Sequence, residues 1–195
     1  MANDLAWHYG SGPAENTRLS RTPHGRLEFL RTQELLRQVL ATPTRVLDVG
    51  GGTGVHAEWL ARDGHSVHLI DVVPAHVDAA ATLPGVTAEV GDARQLPTDD
   101  NSVDTATIAS GHYDGRVGFT PTHWHTADEL RAEIRAAGLA DVTVYGVEGP
   151  AWPALDAAGA SEFAARVDAA LPCARLADQD PLLINTSAHF LAIAR

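Results

Sequence analysis

The sequence contains no lysine; all 14 of its basic residues are arginine. That absence excludes a Schiff-base mechanism, pyridoxal chemistry and the lysine of a P-loop. A single cysteine, Cys173, excludes an internal disulfide. The stretch from Met1 to Gly12 also lacks the basic-then-apolar order of a secretory signal, so a reducing, cytoplasmic setting is expected. Apolar residues make up 45% of the chain, yet none of their runs approaches the roughly 20 residues that a membrane-spanning helix needs, and no membrane association is expected. Positive charge is scarce and unclustered against a net charge of -11, which argues against a nucleic-acid backbone as partner. What remains is a chain of 195 residues, enough for one substantial core and too few for two comfortable ones, so a single domain over 1-195 is expected.

Hydrophobic periodicity organises that domain. From Gly25 to Leu40, Leu27, Leu30, Leu35, Leu36, Val39 and Leu40 recur near helical spacing, and Pro43 breaks the run. Arg45 to Val49 is a short β-branched strand that stops at three glycines, Val55 to Asp63 is helical with Gly64 as its stop, and Ser66 to Ile70 returns to strand. This is one βαβ unit. The alternation continues with a helix over Pro74 to Leu83 and strands over Gly85 to Val90 and Val103 to Ala109. Thr126 caps a further helix that ends at Gly138; Asp141 to Val147 follows as strand, Ala160 to Leu171 as helix and Ala188 to Ala194 as a last strand. Gly146, Gly149, Pro150 and Pro153 mark a surface loop. Alternating strands and helices predict an α/β fold, a parallel sheet covered on both faces.

The segment Asp48-Val49-Gly50-Gly51-Gly52-Thr53-Gly54 puts an acid at a strand end, then a turn almost without side chains, then a helix. A ligand can approach such a backbone directly. Spacing alone does not name the ligand, because Gly52-Thr53-Gly54-Val55-His56-Ala57 also satisfies a dinucleotide pattern. Charge discriminates. A pyrophosphate would meet Asp48 with no arginine between Arg45 and Arg62, whereas S-adenosylmethionine carries an ammonium and a sulfonium that a carboxylate attracts. Asp71, after the second strand, is placed to accept from ribose hydroxyls, which both cofactors have, and Asp92, after the third, from an adenine amino group. The plainer readings of these acids are a turn residue, a helix cap and an Asx-turn.

Val46 to Gly54, then Leu69-Ile70-Asp71, then Gly91-Asp92-Ala93-Arg94-Gln95-Leu96-Pro97, resemble the successive cofactor motifs of class I S-adenosylmethionine-dependent methyltransferases. The resemblance covers about residues 25 to 109 and is closest to the small-molecule, UbiE/type 11-like branch. It implies a Rossmann-like, doubly wound, mostly parallel sheet with an antiparallel last strand. It also implies a cofactor site of Asp48, Gly50, Gly51, Gly52 and Gly54 by the methionine part, Asp71 with Val72 at the ribose and Asp92 with Ala93 at the adenine. The expected activity is methyl transfer to a small-molecule acceptor. The alternatives are a non-catalytic cofactor-binding or scaffold protein of the same fold and an NAD(P)-dependent oxidoreductase.

The chain departs from that pattern between Ser110 and His125, which is too short for the helix, fifth strand and turn that the resemblance predicts there. The fifth strand and the helix before it are therefore expected to be missing. Residues 1-44 then form an N-terminal lid and helix, 45-109 the cofactor-binding half and 110-195 a shortened C-terminal half. Such a gap leaves the fourth strand with an exposed edge, lets the last strand move beside it, or invites pairing with a second copy as a homodimer. His112, Tyr113 and His123 are the candidates for a general base. No carboxylate or cysteine at ligand spacing completes a metal set around His123 and His125, so no metal is expected. Arg18, Arg21 and Arg26 are candidates to pair with the cofactor's carboxylate from a lid, while Trp7, Tyr9, Trp124 and Trp152 read as packing or lid residues.

Overall fold

The computed structural model describes residues 17–92, 105–108, 125–157 and 162–194. They fall into two compact units, one built on 40–92 and 105–108, the other on 17–39, 125–157 and 162–194.

In the first unit, β1 (Arg45–Val49), β2 (Ser66–Asp71), β3 (Val86–Val90) and β4 (Thr105–Ile108) form a parallel sheet in the order β3-β2-β1-β4. Strand β1 is buried over its last four residues, as expected of a strand covered on both faces, with Asp48 as the polar exception among Val46, Leu47 and Val49. Leu47, Val49 and Ile70 form a buried cluster on it. Two helices make the crossovers, α3 (Val55–Arg62), which buries Ala57, Trp59 and Leu60, and α4 (Pro74–Ala80), which buries Val77 and Ala80. The pairing aligns Val49 with Ile70 and with Ile108, and Asp71 with Val90, so the carboxyl ends of all four strands lie along one edge. Ligands of open α/β sheets gather at that edge.

The second unit begins with α1 (Arg18–Arg21) and α2 (Pro23–Val39), continues through α5 (Ala127–Ala136), β5 (Val142–Gly146), α6 (Trp152–Ala157) and α7 (Phe163–Ala177), and ends with β6 (Phe190–Ala194). The last strand is antiparallel, as expected, and pairs with β5 in a second sheet, Val142 opposite Ala194 and Gly146 opposite Phe190. Ala127 and Ile134 of α5 pack with Val142, Val144 and Ile184 against this pair. Leu27 of α2, Leu155 of α6 and Ala170 and Ala174 of α7 form a second cluster. Arg31, 1% exposed, is paired with Asp178 at 2.8 Å and with Glu34. A buried guanidinium is tolerable only with such partners.

Two local expectations are corrected. The stretch from Gly149 is helical, a 3-10 turn over Gly149–Ala151 running into α6, because Pro150 and Pro153 sit at early helical positions where a missing N–H costs nothing. Helix α7 starts later than expected and passes through Pro172 to Ala177, since Ala170, Ala174 and Ala177 are buried on both sides of that proline. The expected loss of a strand and helix falls on residues 109–124, outside the described residues. Among the described residues no helix is long and apolar enough to cross a membrane.

Candidate cofactor site

At the carboxyl edge of the first unit, β1 turns into α3 through a loop with three left-handed glycines, Gly50 at φ +73°, Gly52 at +57° and Gly54 at +88°. Only glycine enters this region without cost. The glycines differ in what they face. A Cβ at Gly54 would lie 2.5 Å from Leu83 Cδ1, and one at Gly51 would lie 2.7 Å from Asp48 Oδ2, so both are needed for close packing. Among the described residues, a Cβ on Gly50 or Gly52 would meet nothing within 4 Å, which leaves their backbone bare towards a ligand.

Asp71 holds this loop. Its Oδ2 accepts from the Gly52 N–H at 2.9 Å and its Oδ1 from the Val73 N–H at 2.8 Å, tying the end of β2 to the loop and to the start of α4. The Gly50 N–H donates to Ile70 O at 2.7 Å and the Gly91 N–H to Asp71 O at 3.1 Å, so the three strand ends are fastened together. Each carboxylate oxygen keeps a second lone pair, so holding the loop leaves Asp71 able to accept further hydrogen bonds. His76, in the first turn of α4, places Nδ1 3.4 Å from Asp71 Oδ1; sequence reading missed it, although its position five residues after Asp71 was the available signal.

Asp48 is 9% exposed, and its buried Oδ2 has no hydrogen-bond partner among the described residues. Burial, and then the like charge of Asp71, push its carboxyl up to about 6. It is thus an anion held against resistance at neutral pH, and a cation brought onto the loop relieves it. The residues present fit an adenosyl cation on two counts, the orphaned buried acceptor and the open faces of Gly50 and Gly52. They offer a diphosphate no arginine on the loop. Val72 and Asp92 are half-buried at the same edge. Ala93, His112, Tyr113 and His123 lie outside the described residues, as do Trp7, Tyr9 and Trp124.

In the second unit, Arg18 makes a two-point pair with Glu28 and Arg26 lies over the Phe29 ring. Trp152 is a packing residue, 5.2 Å from the His24 ring and donating to Thr186 O at 2.8 Å. Around it lies a cluster of His24, Glu28, Glu148 and His189 that sequence reading did not find, because only the four-residue spacing of His24 and Glu28 is local.

A parallel Rossmann-like sheet, a bare glycine loop and strand-end acids are features shared with the class I S-adenosylmethionine-dependent methyltransferase domain, whose cosubstrate is S-adenosylmethionine. Residues 46–137 match the methyltransferase domain family. Uncharacterised methyltransferases of Mycobacterium tuberculosis and Mycobacterium bovis are 37% identical over 116 residues, which cover 50% of this chain and 46% of theirs. The chain thus spans less than half the length of these curated relatives. In fold it is similar to an S-adenosylmethionine-dependent methyltransferase of Mesorhizobium loti, with a TM-score of 0.55 at 16% identity over 87% of this chain and 100% of that one. It is also similar to a methyltransferase of Thermotoga maritima described as a possible histamine N-methyltransferase, with a TM-score of 0.50 at 19% identity over 63% of this chain and 75% of that one.

Proposed function

We propose that this chain transfers a methyl group from S-adenosylmethionine to a small-molecule acceptor. When bound, the cosubstrate supplies a sulfonium-activated methyl, which an acceptor lone pair takes as the carbon–sulfur bond breaks, leaving S-adenosylhomocysteine and releasing the acceptor's proton to solvent. In this reading the faces of Gly50 and Gly52 receive the methionine part while Asp48 attracts its charge. Asp71 with Val72 holds the ribose, and Asp92 with Ala93 the adenine. Because the leaving group is already activated, positioning supplies much of the rate and no catalytic triad is required. The acidic chain without a cation cluster favours a small acceptor over a nucleic acid.

The observation that carries the reading is the buried Asp48 Oδ2, which has no hydrogen-bond partner among the described residues, beside an open glycine backbone. Calorimetric titration with S-adenosylmethionine, S-adenosylhomocysteine and NAD(P)H tests the site; NAD(P)H binding with none for the sulfonium would overturn it. Release of S-adenosylhomocysteine over a panel of small phenols, amines and carboxylic acids then tests transfer. Turnover with one of them is the expected result, and cofactor binding with a silent panel would favour the non-catalytic alternative.

A further inference from the structure

Four potential ligand atoms, one each from His24, Glu28, Glu148 and His189, lie within 4.8 Å of one another in the second unit. His24 and Glu28 are one helical turn apart on α2, Glu148 lies just after β5, and His189 just before β6. We propose that these four side chains form a binding site for a first-row divalent transition metal ion, independent of the methyl-transfer reading.

An ion held at about 2.1 Å by nitrogen and oxygen donors in a tetrahedron needs those donors about 3.4 Å apart. His24 Nε2 is already 3.4 Å from Glu148 Oε1, and His189 Nδ1 is 3.8 Å from Glu28 Oε2. The direct contact of His189 Nδ1 with Glu148 Oε1 has to open, with the ion taking the place of the proton between them. The donors are also oriented from behind. His24 Nδ1 meets Asp156 Oδ1 at 3.1 Å, which turns Nε2 inwards, where it is buried and makes no hydrogen bond. A carboxylate behind a ligating imidazole fixes its tautomer in this way. The His189 N–H donates to Glu148 Oε2 at 3.0 Å, leaving Oε1 as the donor atom, and Arg18 braces Glu28.

Two imidazoles with two carboxylates select zinc, iron or manganese type ions over magnesium or calcium, which prefer all-oxygen shells. With both histidines neutral, the two glutamates and Arg18 sum to one negative charge, which a dication more than balances. The site is closed at Glu148, which is fully buried, and open at His189, whose side chain is 46% exposed, so an ion can enter from that side.

The test is titration of the full chain with zinc(II), and with magnesium(II) in parallel, by calorimetry, together with the visible absorption of the cobalt(II) form. One zinc per chain and no comparable magnesium binding are expected. His24→Asn and His189→Asn should each weaken zinc binding by on the order of tenfold or more and change the cobalt spectrum. Asp156→Asn should weaken it by about 10- to 100-fold while keeping all four donors. His189 is half exposed, so its variant is the one least exposed to misfolding, and circular dichroism checks each fold. Absence of stoichiometric zinc binding, or equal affinity in wild type and in both folded histidine variants, would overturn the proposal; with ten histidines in the chain, the latter means binding elsewhere.

Discussion

Gly52 and Gly54 both stand in the left-handed region, yet their substitution should have opposite consequences, because one faces open space and the other packed side chains. Gly52→Ala places its methyl where no atom of the described residues lies, so its stability cost is limited to backbone strain of about 1–2 kcal/mol. The same methyl occupies the face offered to the cofactor, and affinity for S-adenosylmethionine should fall at least on the order of tenfold, read by calorimetry. Gly54→Ala adds a clash with Leu83 to the strain, and urea unfolding should show a loss of roughly 3 kcal/mol. Asp48 makes a related trade. Its carboxyl is raised from 3.8 to about 6 by burial and the charge of Asp71, so the folded chain binds the proton more tightly than the unfolded chain does. The penalty is absent below the unfolded value, grows between pH 3.8 and about 6, and is complete above that, reaching about 3 kcal/mol in the cofactor-free chain. Asp48→Asn should therefore stabilise the chain at pH 8 and leave it nearly unchanged at pH 4, while lowering affinity for S-adenosylmethionine. Urea unfolding at the two pH values checks the sign.

Helix α5 is the element whose local chemistry was most fully written in the chain. Thr126 Oγ1 accepts from the Glu129 N–H at 3.2 Å, and the Glu129 side chain accepts from the Thr126 N–H at 2.7 Å, a reciprocal capping box on a helix of 10 residues. Thr126→Ala should cost about 1 kcal/mol, lowering the urea midpoint at unchanged slope. The four parallel strands and their helices were legible for a similar reason: apolar runs stopped by glycine, as at Val49 and Gly50, have few other readings. The α6 turn was not legible, because Pro150 and Pro153 signal a break unless the first helical position is already known. Nor was the passage of α7 across Pro172, which depends on burial of Ala174 and Ala177. At the strand ends, sequence pattern singled out Asp48, the glycines and Asp71, but not that both oxygens of Asp71 hold backbone N–H groups, since Gly52 and Val73 come together only through the β1–β2 register. The His24, Glu28, Glu148 and His189 cluster was hidden for the same reason, its donors coming from three distant segments.

Over the whole molecule the net charge of -11 acts alongside the buried Asp48 carboxylate, and the two can be separated by salt. S-adenosylmethionine carries one net positive charge at neutral pH, S-adenosylhomocysteine none, and NAD(P)H several negative ones. The diffuse field of surface acids is screened as the Debye length shrinks from about 30 Å at 0.01 M to about 3 Å at 1 M ionic strength, whereas a buried charge such as Asp48 is screened much less. Raising salt across that range should weaken S-adenosylmethionine binding by on the order of threefold to tenfold and leave S-adenosylhomocysteine nearly unaffected. In Asp48→Asn the preference for the sulfonium form should be smaller at every salt concentration, with the same slope. A preference that vanished in wild type at high salt would assign the discrimination to the general field of the protein and remove Asp48 as its source. A persistent preference that Asp48→Asn abolishes assigns it to that one buried acid.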